Sequence, residues 1–293
     1  MTDATILIPT HRHSALLPWA LRSALAQEEI SVEVLVVGDG VDDDMREAVA
    51  PFLDDVRVRF FDNPKGTRHG EAHRHAALEQ ASGSIVCYLS DDDLLLPDHA
   101  VQMKELLVDA DLAQSAPVFV HTDGTIRYDP IDLGWPQFRD RMLNERWNRV
   151  GLTGAAHTLS AYRRLPAGWR PAPADIWTDL HMWRQFLELP GFRGRTGARV
   201  TALHFPASHR SRERDDRELV EWWTRSQEPG FGEQLEQELA EAIRQRALTL
   251  EKQKHYLERQ LQVVAATRTW RLHERLVRFR TLRALLARSH AAR

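Results

Sequence analysis

Between Thr5 and Leu96, short apolar runs alternate with stretches whose apolar residues repeat at helical spacing, and this alternation leaves few folds open. Thr5-Ile6-Leu7-Ile8 is a strand-sized run stopped by Pro9. From Leu16 to Leu25 the apolar spacing predicts a helix, with Ser14 as its N-cap. Val32 to Val37 is a second strand, closed by the turn Gly38-Asp39-Gly40. Asp42 to Leu53 predicts a helix with acids in its first turn, where the helix dipole favours them. Val56 to Phe61 is a third strand, and Thr67 to Ala81 a helix ended by Ser82-Gly83. Ile85 to Leu89 is a fourth strand that runs into three aspartates, and another helix begins after Pro97. Strands of continuous apolar character, separated by helices, predict a mostly parallel sheet covered on both faces. Such sheets bind ligands beyond the carboxyl ends of their strands. The residues just after each strand are therefore where chemistry is expected.

Beyond about Gln114 the pattern is less regular. Seven of the nine tryptophans fall between there and Gly232, namely Trp135, Trp147, Trp169, Trp177, Trp183, Trp222 and Trp223. Rings at this density suit a sugar-binding or acceptor surface, and they equally suit a packed core. From Glu233 onward there is no proline or glycine. Ile243, Leu250, Leu257 and Val264 recur every seven residues, and Ala247 and Leu261 support a second stripe that Lys254 interrupts. A long helix is expected, with a short coiled coil and self-association as one use for it. After Thr267, eight arginines between Arg268 and Arg293 stand against the single acid Glu274, interleaved with Trp270, Leu272, Leu276 and Phe279. This basic amphipathic segment suits peripheral contact with an anionic membrane, a partner helix, or packing back on the same chain.

A net charge of -3 gives no global reason to expect a nucleic-acid partner. The one cysteine, Cys87, lies in an apolar run and builds no disulfide framework, which fits a reducing compartment. The start shows no basic segment followed by an apolar one, and no apolar run approaches membrane length. The expected location is cytoplasmic, with peripheral attachment at the inner membrane face through the basic tail.

Ser90-Asp91-Asp92-Asp93-Leu94-Leu95-Leu96-Pro97 is the sharpest chemical signal. Three adjacent carboxylates repel one another unless water or a cation neutralises them. Hard oxygen ligands at a strand end suit Mg²⁺ or Mn²⁺, and those ions suit a diphosphate. The competing explanation is an acidic helix N-terminus.

The surrounding pieces decide between them. Ile6-Leu7-Ile8-Pro9-Thr10-His11-Arg12, Val34 to Gly40, His73-Arg74, and Ser90 to Asp98 resemble, in order and spacing, the family 2 glycosyltransferases of the GT-A fold. The resemblance is close over roughly residues 4 to 110 and looser to about residue 210. It implies an α/β, Rossmann-like GT-A domain over residues 1–232, with a nucleotide-binding half (1–113) and an acceptor half (114–232), and a helical extension over 233–293. It implies a nucleoside-diphosphate sugar donor, a glycan or other hydroxyl acceptor, a Mg²⁺ or Mn²⁺ cofactor, and inversion at the transferred sugar. Thr10 then lines the base and ribose, Asp39 accepts from the base, and Arg74 reaches base or phosphate. Arg12 joins these donor-binding residues. Alignment on Pro97 puts the metal-binding aspartate on Asp92, with Asp91 facing ribose or metal and Asp93 in support. Gly38 and Ser90 stand where the family more often has acids.

An inverting transferase also needs a base to take the acceptor's proton. By resemblance that base belongs to Pro173 to Trp183, where Asp179 leads a helical pattern, Thr178 caps it, and Asp175 is the second choice; the family's frequent Glu-Asp pair is missing there. Some relatives place a histidine ligand where this chain has Leu203 to Arg210, which nominates His204, with His209 behind it. Arg210 and Arg212 are placed to clamp the leaving diphosphate. His11, His13, His69, His73 and His75 fall in two separate segments with no Cys-x-x-Cys, which argues against zinc. No P-loop and no G-x-G-x-x-G follows the first strand, which argues against P-loop enzymes and dehydrogenases. Two other functions fit the same pattern. A sugar nucleotidyltransferase would want a glycine-rich first loop, and a non-catalytic assembly protein of this fold would use mainly the helical tail. The expected context is polysaccharide or glycoconjugate synthesis.

Overall fold

The computed structural model describes residues 2–129, 131–206, 215–270, 272–273 and 275–277. The chain divides into two units, Met1–Ala240 and Glu241–Arg293. In the first unit the apolar runs become strands: β1 (Ala4–Thr10), then α1 (Leu17–Leu25), β2 (Val32–Gly38), α2 (Asp43–Val49), β3 (Val58–Phe61), α3 (Glu71–Leu78) and β4 (Ile85–Tyr88). After the acidic turn come β5 (Leu94–Leu95), α4 (His99–Leu106), β6 (Leu112–Gln114) and the pair β7 (Val118–Val120) and β8 (Ile126–Tyr128). Next are α5 (Pro136–Asn144), β9 (Ala155–Thr158), α6 (Leu159–Tyr162), α7 (Thr178–Leu187), β10 (Gly194–Thr196), β11 (Ala202–Leu203), α8 (Arg217–Ser226) and α9 (Phe231–Ala266).

The main sheet has the order β10-β6-β9-β4-β1-β2-β3. β1 pairs in parallel with β2, Thr10 lying opposite Gly38, and in parallel with β4, Ala4 lying opposite Ile85. β9 runs antiparallel between β4 and β6, so the sheet is mixed but mostly parallel. The chain runs outward from β1 through β2 and β3, then returns to place β4 on β1's other side. That reversal opens a crevice at the carboxyl ends of β1 and β4.

Alternate side chains of these strands feed two cores. Ile6, Ile8, Val34, Val36 and Cys87 pack with Leu17, Leu21 and Met103 on one face. Leu7, Leu35, Val86 and Tyr88 pack with Leu78, Trp169, Trp183 and Phe186 on the other. Each fully buried aliphatic or phenyl side chain contributes about 1.5–3 kcal/mol of burial. A third cluster joins Leu94, Leu203 and Phe205 to Trp222, Phe231, Leu235 and Leu239. The last three explain why the unit boundary falls inside α9 rather than at the composition change near Glu233: its first turns are part of the first unit's core.

Several local expectations shift. Ser14 caps nothing; α1 begins after Leu16 with proline in its first turn and has no side-chain cap. Asp42 does cap α2, accepting from Met45 N at 3.0 Å, but the helix ends at Val49 and a 3-10 turn spans Ala50–Phe52. The helix expected from Thr67 starts only at Glu71, because Gly70 at its N-cap adopts a left-handed φ of 71°. Thr178 is not the cap of α7 but its first residue. Among the described residues, no helix is long and apolar enough to cross a membrane.

Candidate active site

Thr10, Asp39 and the acidic turn sit at the ends of β1, β2 and β4, and they line one cleft of about 690 Å³. Thr10 is buried and its hydroxyl contacts Met45 Sδ at 3.3 Å, which orients it from α2. His11 N donates to Asp91 Oδ2 at 3.2 Å, and His11 Nδ1 meets the Asp39 carbonyl at 2.6 Å. These contacts tie the first loop to the second and fourth, so the strand ends form one surface.

Asp39 is buried, and both of its oxygens are engaged: Lys65 Nζ donates to Oδ2 at 2.5 Å, and Gly66 N to Oδ1 at 2.6 Å. Burial works against its charge, but the hydrogen bonds from Lys65 and Gly66 and the charge of Lys65 outweigh it. Its pKa is held below the ordinary carboxyl value. Gly70 is required beside it, because a Cβ at that position would lie 2.8 Å from Asp39 Cβ and Cγ.

Arg74 projects from α3 beneath the cleft. Its guanidinium stacks on Trp169 at 4.8 Å from the ring centroid, and Nη2 donates to the His69 carbonyl at 3.1 Å. Its Nε and Nη1 are buried and find no partner among the described residues. Trp169 is itself fixed: its indole N–H donates to the Tyr88 hydroxyl at 2.8 Å, and that hydroxyl lies 2.8 Å from His157 Nε2. His157 Nδ1 lies 3.0 Å from the Thr158 carbonyl, so Nδ1 carries the proton and Nε2 accepts from Tyr88. The guanidinium is thus rigidly backed beside the cleft, with two buried donors left unsatisfied among the described residues.

Asp179, in the first turn of α7, lines the same cleft. Glu71, fully buried, accepts from His69 N and from Thr178 Oγ1, both at 3.0 Å, and so locks the start of α7 to the start of α3. Burial raises the pKa of Asp179 above the ordinary value, and the neighbouring Arg74 guanidinium counters that only in part. A carboxyl with a raised pKa in a cleft is a candidate acid or base. Asp175 is exposed and lies outside the cleft lining, as does Arg12, whose backbone has a left-handed φ of 62°.

The three aspartates separate in space. Asp91 and Asp92 line the cleft, whereas Asp93 is fully buried. Asp93 Oδ1 accepts from Phe205 N at 2.7 Å, and Oδ2 meets His204 Nδ1 at 2.7 Å as well as the Thr153 hydroxyl. Burial works against its charge, but His204, Phe205 N and Thr153 hold its pKa down. Asp93, expected in support of the metal site, and His204, expected as a ligand, thus engage each other here, the turn carrying Asp93 inward against the residues that follow β11. Among the described residues, the ligand atoms that converge are those of His13, Asp91 and Asp92, all within 4.8 Å of one another. His13 Nδ1 already sits 2.9 Å from Asp91 Oδ1. One imidazole nitrogen and two carboxylates on a solvent-reached wall fit a small divalent ion such as Mn²⁺ or Mg²⁺. Arg210, Arg212 and His209 lie outside the described residues.

His13, Lys65, Glu71 and Trp169 are site-building residues that sequence reasoning passed over. His13 was visible as one of five histidines, but only the parallel pairing of β1 with β4 brings it to Asp91. On the side of Asp179, the cleft is walled by Arg146 and by Trp177, which is 48% exposed, with the guanidinium 4.9 Å above the ring. From Arg146 an aromatic stack runs outward: Trp147 lies on Phe138 at 5.4 Å and Phe138 on Trp135 at 5.7 Å, with Trp135 58% exposed.

Comparison with known proteins agrees with this architecture. The profile of glycosyl transferase family 2 matches residues 5–167. The chain is 32% identical over 97 residues to GalNAc(5)-diNAcBac-PP-undecaprenol beta-1,3-glucosyltransferase of Campylobacter jejuni, covering 33% of this chain and 31% of that protein. It is 34% identical over 103 residues to the succinoglycan biosynthesis protein ExoO of Rhizobium meliloti, covering 35% and 29%. The matched stretch thus spans less than a third of these relatives. In fold it resembles S. aureus TarS 1-349 in complex with UDP-GlcNAc, with a TM-score of 0.56 at 15% identity over 83% of this chain and 72% of that one. It also resembles the mannosyltransferase PcManGT from Pyrobaculum calidifontis in complex with GDP-Man and Mn²⁺, with a TM-score of 0.50 at 16% identity over 92% and 82%. The mostly parallel sheet flanked by helices is the architecture of these GT-A glycosyltransferases.

Proposed function

The chain belongs to glycosyl transferase family 2, and we propose that it transfers a sugar from a nucleoside-diphosphate sugar to an acceptor hydroxyl, with inversion and with the help of Mg²⁺ or Mn²⁺. The observation that carries this reading is the convergence, in one cleft, of Thr10, Asp39, Arg74, Asp91 and Asp92 on one side and Asp179 on the other. The nucleoside lies over Thr10 and Asp39. Asp39 must then share or exchange the hydrogen bonds it now receives from Lys65 and Gly66. Arg74 offers its guanidinium charge to the diphosphate from the cleft lining. Asp91, Asp92 and His13 would hold the ion, which when bound offsets charge developing on the leaving diphosphate. Asp93 and His204 serve as the internal brace of that turn.

In the transfer step the acceptor oxygen attacks the anomeric carbon and the bond from that carbon to the phosphate oxygen breaks. The electron pair leaves with the diphosphate, and the acceptor proton passes to Asp179. Asp179 suits this role because its raised pKa makes it a stronger base than an ordinary surface carboxylate. The acceptor enters past Trp177 and Arg146, and beyond them the half-buried Trp147 and Phe138 stack toward the exposed Trp135, offering a ring face suited to sugars. Two solved structures of the same fold carry UDP-GlcNAc and GDP-Man, in keeping with a nucleotide-sugar donor. Two curated relatives are named for lipid-linked glycan and succinoglycan synthesis, in keeping with a role in polysaccharide or glycoconjugate assembly.

A thermal-shift series with UDP, GDP, dTDP and CDP, each with Mn²⁺, tests the donor side. A ligand at a hundred times its Kd stabilises the fold by about 2.7 kcal/mol. One nucleotide is expected to raise Tm well above the others, and to do so less in Asp92→Ala. No shift with any of the four sinks the reading.

A further inference from the structure

In the second unit, every described residue from Ile243 to Trp270 is exposed. Yet α9 carries an ordered apolar seam there: Ile243, Ala247, Leu250, Leu257, Leu261 and Val264, with Lys254 filling the remaining place. The steps between these seven positions are four and three residues in strict alternation, the repeat of a left-handed coiled coil. The large side chains of the seam are 41–66% exposed. Most helical stability in proteins comes from packing an apolar face, and among the described residues nothing covers this one.

We propose that the seam pairs with the same seam of a second copy of this chain, as a parallel two-stranded coiled coil over residues 243–264. Ile243, Leu250, Leu257 and Val264 then occupy the d positions, with the Leu that favours two strands in the two central d layers, and Ala247, Lys254 and Leu261 the a positions. The flanks are complementary in this orientation. Arg246 at g lies beside Glu251 of the partner subunit at e, and the symmetry makes that contact twice. An antiparallel pairing centred near Lys254 instead sets Glu251 against the partner's Glu258, acid on acid. Mixed signs along the flanks, Arg244 and Arg246 with Glu251 and Glu258, suit a helix partner better than an anionic membrane. Lys254 in the seam lowers stability and excludes pairings slipped out of register, the role of a lone polar a residue.

Sedimentation velocity on the full chain tests this. Wild type is expected as a dimer, and the double variant Leu250→Glu, Leu257→Glu as a monomer that keeps the nucleotide-induced thermal shift, which shows that the first unit is intact. Lys254→Leu is expected to lower the dimer dissociation constant at least about tenfold. Leu257→Cys, under mild oxidation, is expected to cross-link, because a d residue faces its own copy in a parallel pair; Cys87 is buried and does not compete. A monomeric wild type, or a dimer that survives the double glutamate variant, overturns the proposal. A dimer in which Leu257→Cys fails to cross-link overturns the parallel arrangement. The sedimentation and cross-linking outcomes do not depend on the chemistry of the cleft; only the thermal-shift control does.

Discussion

Arg74 stacks on Trp169 with its guanidinium 4.8 Å from the ring centroid, and two of its buried nitrogens have no partner among the described residues. A buried donor without an acceptor costs about 1–3 kcal/mol, so this arginine is held at a cost beside the cleft it lines. Arg74→Lys keeps the charge but loses the planar fork and the stack. It is expected to weaken nucleoside-diphosphate binding by roughly tenfold or more, about 1.4 kcal/mol, by titration calorimetry. Tyr88→Phe, which frees the Trp169 indole, should weaken binding in the same direction but less. Unchanged affinity in Arg74→Lys would remove the guanidinium from the donor site.

Asp179 links pH to both activity and stability. As a base it must be ionised, so kcat/KM should climb with pH through a value above the ordinary carboxyl range, and Asp179→Asn should abolish transfer. The stability effect has the opposite sign. The folded-state pKa is raised above 3.8. The folded state therefore holds the proton more tightly, and stability is lost as pH rises from 3.8 through the folded value. Asp179→Asn should raise Tm at neutral pH and give no gain below the ordinary carboxyl pKa. An acid limb that persists in the Asn variant would assign the base elsewhere.

Gly70→Ala probes the geometry that holds Asp39. The added Cβ meets Asp39 at 2.8 Å while the backbone keeps a φ of 71°. Destabilisation of about 1–3 kcal/mol is expected in urea unfolding, together with weaker nucleotide binding at matched folded fraction. A variant as stable and as tight-binding as wild type would show that the Asp39 loop is not set by this contact.

Two buried histidines predict acid sensitivity. Burial lowers the pKa of His157 to about 4 and that of His99 to about 3. An unfolded chain protonates both near 6.5, so their contribution is complete above that pH and is lost as pH falls toward the folded values. His157 alone should account for about 3 kcal/mol of loss between neutrality and pH 4. Urea unfolding at stepped pH should show the slope, and His157→Gln should flatten it. A stability profile flat from pH 7 to 4 would contradict the burial of these rings.

The strands were legible because a strand covered on both faces needs an unbroken apolar run, and Ile6 to Ile8, Val34 to Val37 and Ile85 to Leu89 are such runs. Locating their ends located Thr10, Asp39 and the acidic turn as neighbours. What was not legible depends on how the backbone turns and which strands pair. Asp91, Asp92 and Asp93 are identical in composition, yet Asp93 N donates to the Ser90 carbonyl at 3.2 Å and the turn sends the Asp93 side chain into the interior. His204 follows it, and His13 reaches Asp91 through the pairing of β1 with β4. The tryptophans divide likewise, Trp169 and Trp183 into the core and Trp135 and Trp177 to the surface, a distinction composition does not carry.

Release of free nucleoside diphosphate from UDP-GlcNAc, UDP-glucose and GDP-mannose in the presence of Mn²⁺ tests the central claim most directly. Wild type should release nucleotide from at least one donor, chelation should suppress it, and Asp92→Ala should lose it while Asp175→Asn retains it. Release unaffected by chelation and by Asp92→Ala, or none from any donor by a protein that binds the nucleotide, would contradict the account.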